Sequence, residues 1–222
     1  MASYSLFNSS IGRKFVMGLT GLFLISFLII HVSINSCIYF NDGGQTFNHV
    51  AEFMANNIII RTLEIGLFLG FFLHIIQSYL VTRQNAAARP VPYAMHNGRS
   101  NSTWYSRSMG LLGTLILIFL IIHINHFWVV SRLTDEITSG RETLFGEMKE
   151  VFSELWVVIL YCFAMVSLSY HLMHGFQSAF QSMGWNHRKY MPFVKKLGFW
   201  FSILIPILFA SMPVAFYMGW IE

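Results

Sequence analysis

The chain has 222 residues, of which 55% are hydrophobic, 17% aromatic and only 11% charged, with a mean hydropathy of +0.56. Soluble domains run at about a quarter charged because their surface must be wetted. This composition therefore excludes a soluble enzyme, a disordered regulator and, despite a pI of about 9.2, a nucleic-acid binder. Cys37 and Cys162 both lie in apolar runs, so no disulfide framework is implied. A single all-α integral membrane domain over residues 1–222 is expected.

Five apolar stretches reach the roughly 20 residues that a membrane helix needs. They cover 15–40, 58–81, 109–130, 155–180 and 198–217. No segments of alternating polarity suggest a β-barrel. The first stretch is longer than a signal-peptide core and lacks a small-x-small cleavage site, so it is expected to persist. Between the first and second stretches, Phe47, Val50, Ala51 and Met54 recur at helical spacing, as do Leu144, Phe145, Met148, Val151 and Phe152 before the fourth. Both sets predict short amphipathic helices lying in the outer interface.

Charge sets the orientation. Arg13, Lys14, Arg83, Arg89, Arg99, Arg107, Arg188, Lys189, Lys195 and Lys196 make 10 of the 14 basic residues and fall on one side. All ten acidic residues, Asp135, Glu136, Glu142, Glu147 and Glu150 among them, fall on the other. The positive-inside rule puts the N-terminus in the cytoplasm and the C-terminus outside. The acid-free run from Gln84 to Arg99 serves this topology signal, or docks a soluble partner or lipid headgroups.

Histidines carry the chemistry. Of nine in the chain, six lie deep in apolar helices: His31, His74, His123, His126, His171 and His174. One such histidine is ordinarily a satisfied helix–helix hydrogen bond; six over four consecutive spans imply a shared purpose. His31 lies 17 residues beyond Lys14, roughly 25 Å from the inner start of its helix at ~1.5 Å per residue. The same count puts His123 in the outer half, and His74 and His171 in the inner half. The expected arrangement is two pairs in two layers, first span with third and second with fourth. Their separation is on the order of 13 Å.

Internal echoes bear on the choice of residues. Phe27-Leu28-Ile29-Ile30-His31 is repeated as Phe119-Leu120-Ile121-Ile122-His123, which favours His123 over His126. Leu73-His74-Ile75-Ile76-Gln77-Ser78 echoes Met173-His174-Gly175-Phe176-Gln177-Ser178, which favours His174. Depth, and the space left at Gly175, favour His171. Both stay candidates on the residues alone.

Zinc usually takes four ligands, whereas each layer offers two imidazoles. A haem brings its own equatorial nitrogens and asks the protein for two axial ligands. Gly18, Gly21, Gly66, Gly70, Gly110 and Gly113 serve either close helix packing or slots for flat macrocycles. With no Cys-x-x-Cys-His, attachment is non-covalent. Two bis-histidine b haems, held by spans one to four as a four-helix bundle, is the economical expectation. A membrane di-iron oxygenase needs its histidine boxes at one face, but His123-x-x-His126 and His171-x-x-His174 fall in opposite halves. A zincin lacks its His-Glu-x-x-His. A histidine-relay proton-coupled transporter is a lesser alternative, since it predicts broken helices near mid-membrane.

The ordered set of motifs resembles the cytochrome b membrane anchor of succinate dehydrogenases and fumarate reductases, in the single-subunit, five-helix, two-haem class. The likeness covers nearly the whole chain. It rests on Phe27 to His31, Leu63-Glu64-Ile65, Phe72-Leu73-His74, Ile118 to His123, and His171 with Gly175 and Gly184. It implies His31 and His123 as outer haem ligands, and His74 and His171 as inner ones. It also implies a flavoprotein and an iron–sulfur subunit docked on the cytoplasmic loops. The substrate would be menaquinone/menaquinol, and the setting a respiratory chain of the bacterial inner membrane, at the tricarboxylic acid cycle step between succinate and fumarate. Anchors of nitrate-reductase type are the related alternative.

Trp104, Arg107, His96 and Arg188 lie where inner-layer propionates could reach them, or else face headgroups. Glu64, an ionisable residue inside the second span, is the candidate proton carrier for quinone chemistry; an i,i+3 ion pair with Arg61 is the structural alternative. Glu52 on the first amphipathic helix is the weaker candidate for the same role.

Overall fold

The structure, a computed structural model, describes residues 9–88 and 102–222, and these are helical throughout apart from turns and connections. In chain order the helices are α1 (Ser10–Asn35), α2 (Gln45–Asn56), α3 (Ile58–Ala87), α4 (Trp104–Arg107), α5 (Met109–His123), α6 (Val130–Leu133), α7 (Asp135–Thr138), α8 (Leu144–Val151), α9 (Leu155–Ser182) and α10 (Met191–Tyr217). A 3₁₀ turn, Ser36–Phe40, extends α1, and a π-helical turn, Ile124–Val129, joins α5 to α6. Five segments are long and apolar enough to cross a membrane: Ile11–Phe40, Ile58–Ala87, Met109–Leu133, Leu155–Ser182 and Met191–Tyr217. They match the expected spans; four run further at the basic end, and the third, Met109–Leu133, runs further at the acidic end. Arg13, Lys14, Arg83, Lys195 and Lys196 continue the helices past the apolar run, since long basic side chains reach polar surroundings from a helical backbone. The short amphipathic helices foreseen from Phe47 and Phe145 are α2 and α8.

Local chemistry sets the helix starts. Ser9 Oγ accepts from the Gly12 N–H at 3.0 Å, Asn57 Oδ1 from Ile59 and Ile60 at 3.0 and 3.3 Å, and Thr143 Oγ1 from Gly146 at 3.1 Å. The chain turns from α1 into α2 through left-handed Asn41, Gly43 and Gly44. A Cβ at Gly44 would fall on the Phe145 ring, so glycine is required there by both φ and space.

Helix α1 packs along α3 and α9, and α9 packs along α10 and α5; α3 and α5 touch only lightly. The four helices α3, α1, α9 and α5 thus follow one another around a bundle, with α10 outside it. At the acidic end, Phe47, Phe145, Met148 and Phe152 of the amphipathic segments pack on Val32 and Phe216 and close the bundle. Elsewhere the outward surface is apolar, as at Ile58, Phe72, Ile118, Phe163 and Trp200. Inside α10, Pro206 has no N–H for the carbonyl of Ser202, and Ser169 Oγ of α9 donates to that oxygen at 2.6 Å.

Candidate functional site

The histidines meet in two pairs. His31 of α1 and His123 of α5 have ring centroids 5.8 Å apart with planes at 80°; His74 of α3 and His171 of α9 are 6.3 Å apart at 65°. Each pair spans helices that do not pack closely on one another. A metal–imidazole bond is about 2.0–2.1 Å, so two imidazoles on opposite sides of one metal hold their centroids roughly 6 Å apart. Both pairs have that separation. All four histidines are partly buried within the bundle.

The two layers are separated consistently along three helices. Thr20, which touches His74, lies 11 residues before His31 on α1, about 16 Å of rise. Gly113, beside His171, lies 10 residues before His123 on α5. Tyr161, beside His123, lies 10 residues before His171 on α9. These two helices each give about 15 Å.

Neighbouring groups fix the rings. The repeated pentapeptide builds the same local unit twice, because residues four apart share a helix face. Phe27 stacks on His31 at 5.0 Å and 17°, and Phe119 on His123 at 5.4 Å and 24°. Phe209 of α10 closes the acidic-end pair at 5.4 Å from His31. In the basic-end pair, Thr20 Oγ1 lies 3.2 Å from His74 Nδ1, and 2.9 and 3.1 Å from the carbonyls of Val16 and Met17. The single hydroxyl proton goes to those carbonyls, so towards His74 the oxygen accepts. His74 Nδ1 then carries its proton and Nε2 keeps the lone pair that a metal needs. His171 Nδ1 is buried with no hydrogen-bond partner among the described residues. Near the other pair, Tyr161 Oη lies 3.4 Å from His123 Nδ1 and 3.1 Å from His126 Nδ1, and Asn35 Nδ2 lies 3.3 Å from His31 Nδ1.

The glycines divide. A Cβ on Gly18 would press on Ser182 Cβ at 2.9 Å and the Ala179 carbonyl at 3.2 Å, and one on Gly70 would meet Phe23 at 3.0 Å. Those two allow close packing. Gly21 faces His74 at 3.6 Å, Gly113 faces His171 at 3.8 Å and Gly175 faces His171 at 4.0 Å. At those three a Cβ would come into ordinary van der Waals contact with a basic-end imidazole, so glycine keeps side-chain atoms off these rings. Beside Gly66 there is nothing within 4 Å, and Gly110 meets only Thr82.

Other candidates are placed as follows. His74 has His171 as its ring partner, while His174, half-buried one turn on, is not paired with it. Trp104 packs on Tyr170, the neighbour of His171, at 4.6 Å. Arg107 donates to the Ser102 carbonyl at 2.6 Å and hydroxyl at 3.1 Å. Arg188 is exposed in the connection before α10, and His96 lies outside the described residues. Glu64 is tied down: Arg61 Nη1 donates to Oε2 and Trp128 Nε1 to Oε1, each at 2.6 Å, with Arg132 Nη2 at 3.8 Å. The i,i+3 pair is therefore present, within a larger cluster that joins α3 to the third span. Glu52 is exposed and lines a hollow of ≈ 430 Å³ with His49, Phe53, Asn56 and Asn57.

Sequence reasoning passed over Thr20, Asn35 and Tyr161. The usable signal was the one that found the histidines, polar side chains deep in apolar helices. Among the described residues, no three His, Cys, Asp or Glu side chains gather as a metal cluster. The residues present fit a ligand that asks each layer for two donors on opposite sides. No protein-family model, curated protein or solved structure matches the chain.

Proposed function

We propose that the chain is a di-haem b-type cytochrome. It anchors a succinate:quinone oxidoreductase or fumarate reductase in the bacterial inner membrane, and it carries electrons between menaquinone/menaquinol and an iron–sulfur subunit. The observation that carries the cytochrome reading is the pair of imidazole pairs, 5.8 and 6.3 Å between centroids, in layers about 15 Å apart along the helices. The choice of enzyme rests on the sequence resemblance.

In this reading His31 and His123 hold the outer haem, and His74 and His171 the inner one. Bound haem supplies one-electron transfer between the layers. The protein's part is to hold the imidazoles in the ligating tautomer, as Thr20 does for His74, and to keep side-chain atoms off the inner pair at Gly21, Gly113 and Gly175. The aromatic rings of Phe27, Phe119 and Phe209 keep water from the outer pair. Glu52 is open to an outer hollow and can exchange protons with solvent there, whereas Glu64 spends both oxygens on donors. Arg83, Arg188, Lys189, Lys195 and Lys196 give the opposite end the positive surface on which the flavoprotein and iron–sulfur subunits dock.

The test is a reduced-minus-oxidised spectrum of the purified, haem-replete protein with a haem count. Two b haems per chain are expected. Replacing His31 or His123 removes one, and replacing His74 or His171 removes the other. A single haem equivalent in the unmodified protein refutes the reading. Loss of the inner haem in His174→Ala with its retention in His171→Ala reassigns that ligand.

A further inference from the structure

Tyr161 is buried at 6% exposure about two turns into α9, and its hydroxyl touches two histidines of the neighbouring span. His126 is stacked on the Tyr161 ring, 6.0 Å between centroids and 5° between planes. The π-helical turn begins at Ile124, directly after His123, and carries both His126 and Trp128. Such i→i+5 turns are uncommon and concentrate at functional sites. Here the turn lies where His123 meets His31, His126 meets Tyr161, and Trp128 meets Glu64 on α3.

A tyrosine hydroxyl has one proton and two lone pairs, so it cannot donate to both imidazoles. If it donated to His123 Nδ1, the proton of that neutral ring would sit on Nε2 and close the nitrogen left for a metal. Accepting from His123 Nδ1–H leaves Nε2 open, and the tyrosine proton then has His126 Nδ1 as its acceptor at 3.1 Å. We infer that Tyr161, with His126 behind it, is a positioning and tuning residue for the outer haem: it holds His123 in the ligating tautomer and strengthens that imidazole as a donor. The inference rests on His31 and His123 being haem ligands. His126 thereby gains a role that neither a ligand position nor helix packing gives it.

A hydrogen bond accepted from the far nitrogen of a ligating imidazole makes the ring more basic and lowers the metal's reduction potential. Tyr161→Phe keeps the ring and removes the hydroxyl. The expected result is a higher midpoint potential and a shifted low-spin ferric EPR signal for the outer haem. Retention of that haem should weaken by roughly 10- to 100-fold, the usual effect of losing such a partner. The inner haem serves as an internal control and stays unchanged. Outer potential and EPR signal equal to those of the unmodified protein, with both haems bound, overturn the inference.

If Tyr161→Phe is not recovered folded, His126→Phe decides in its place. With that acceptor gone, the hydroxyl proton can be taken up by an imidazole only at His123 Nδ1, in competition with the ligating tautomer, so the outer haem weakens or shifts; an unchanged outer signal overturns the inference. Failure of the cytochrome reading is a different result, because it appears as missing haem in the unmodified protein.

Discussion

Gly21 gives the sharpest test of whether the space beside His74 belongs to a ligand. A Cβ placed there meets His74 Cε1 at 3.6 Å, Ala179 Cβ at 3.9 Å and His74 Nδ1 at 4.0 Å, all ordinary van der Waals contacts. Gly21→Ala therefore costs nothing in sterics and gains about 1 kcal/mol of helix propensity, so the cofactor-free protein should be as stable or slightly more so. Gly21→Leu adds three further carbons that must occupy the space alongside the imidazole. If a flat macrocycle occupies that space, the leucine competes with it. Overpacking of about 1–3 kcal/mol corresponds to roughly 5- to 150-fold weaker retention of that one haem. The assay is a haem count with low-temperature difference spectra on protein purified at limiting haem. The leucine variant should fall from two haems towards one, with the remaining spectrum that of the outer pair. The same substitution at Gly113, 3.8 Å from His171, should act on the same haem from the opposite helix. Two fully retained haems with an unchanged inner spectrum in both leucine variants would refute the reasoning.

Three further outcomes are expected. Thr20→Val removes the acceptor at 3.2 Å from His74 Nδ1, and should loosen the inner haem by roughly 10- to 100-fold on titration with haem, leaving the outer one intact. Glu64→Gln loses its charge against Arg61 and Arg132 but keeps an oxygen for Trp128; Tm in detergent should fall by the equivalent of about 1–2 kcal/mol. In the same variant, quinol-linked electron transfer that falls while both haems remain supports a proton role for Glu64, and unchanged turnover leaves it a structural tie. Glu147, on α8, has its carboxyl pushed above the usual range by burial and then by Glu150, Glu136 and Glu142. A raised folded-state value means the folded protein binds more protons than the unfolded chain in the window between the two values. Stability should therefore rise as pH falls through that window, and Glu147→Gln should flatten the dependence seen in Tm against pH.

The spans, the two amphipathic helices and the histidine pairing were legible because each is written in a repeating or countable feature. Apolar runs of bilayer length announce the spans. Depth follows from residue number at a fixed rise, which is why the expected layer spacing of ~13 Å lies close to the ~15 Å read from Thr20, Gly113 and Tyr161. The pentapeptide ending in His31 and His123 also encodes its own stacking, since Phe27 and Phe119 each precede the imidazole by one turn. The glycines were legible only as a set. Gly18 and Gly70 meet a neighbour on contact, while Gly21 and Gly113 face imidazoles, and no sequence pattern separates the two uses.

The π turn was not legible, and it decides most about the acidic-end layer. Ile124-Asn125-His126-Phe127-Trp128-Val129 reads in sequence as one more stretch of apolar helix, and uninterrupted α-helical counting leaves His126 a rival of His123. Across the wider turn the two side chains meet different partners. His123, the last residue before it, meets His31 across the bundle, while His126 meets the Tyr161 hydroxyl and Trp128 the Glu64 carboxylate. A turn of this kind gives up regular hydrogen-bond geometry within the apolar layer, where backbone groups have no water to fall back on. Two tertiary contacts hold it, at His126 and at Trp128, and a third holds His123 directly before it. The contact with Glu64 matters most for architecture, since α3 and α5 otherwise touch only lightly. Trp128 and Arg132 therefore hold the second span to the third at the acidic end, through a carboxylate that sits within the second span itself.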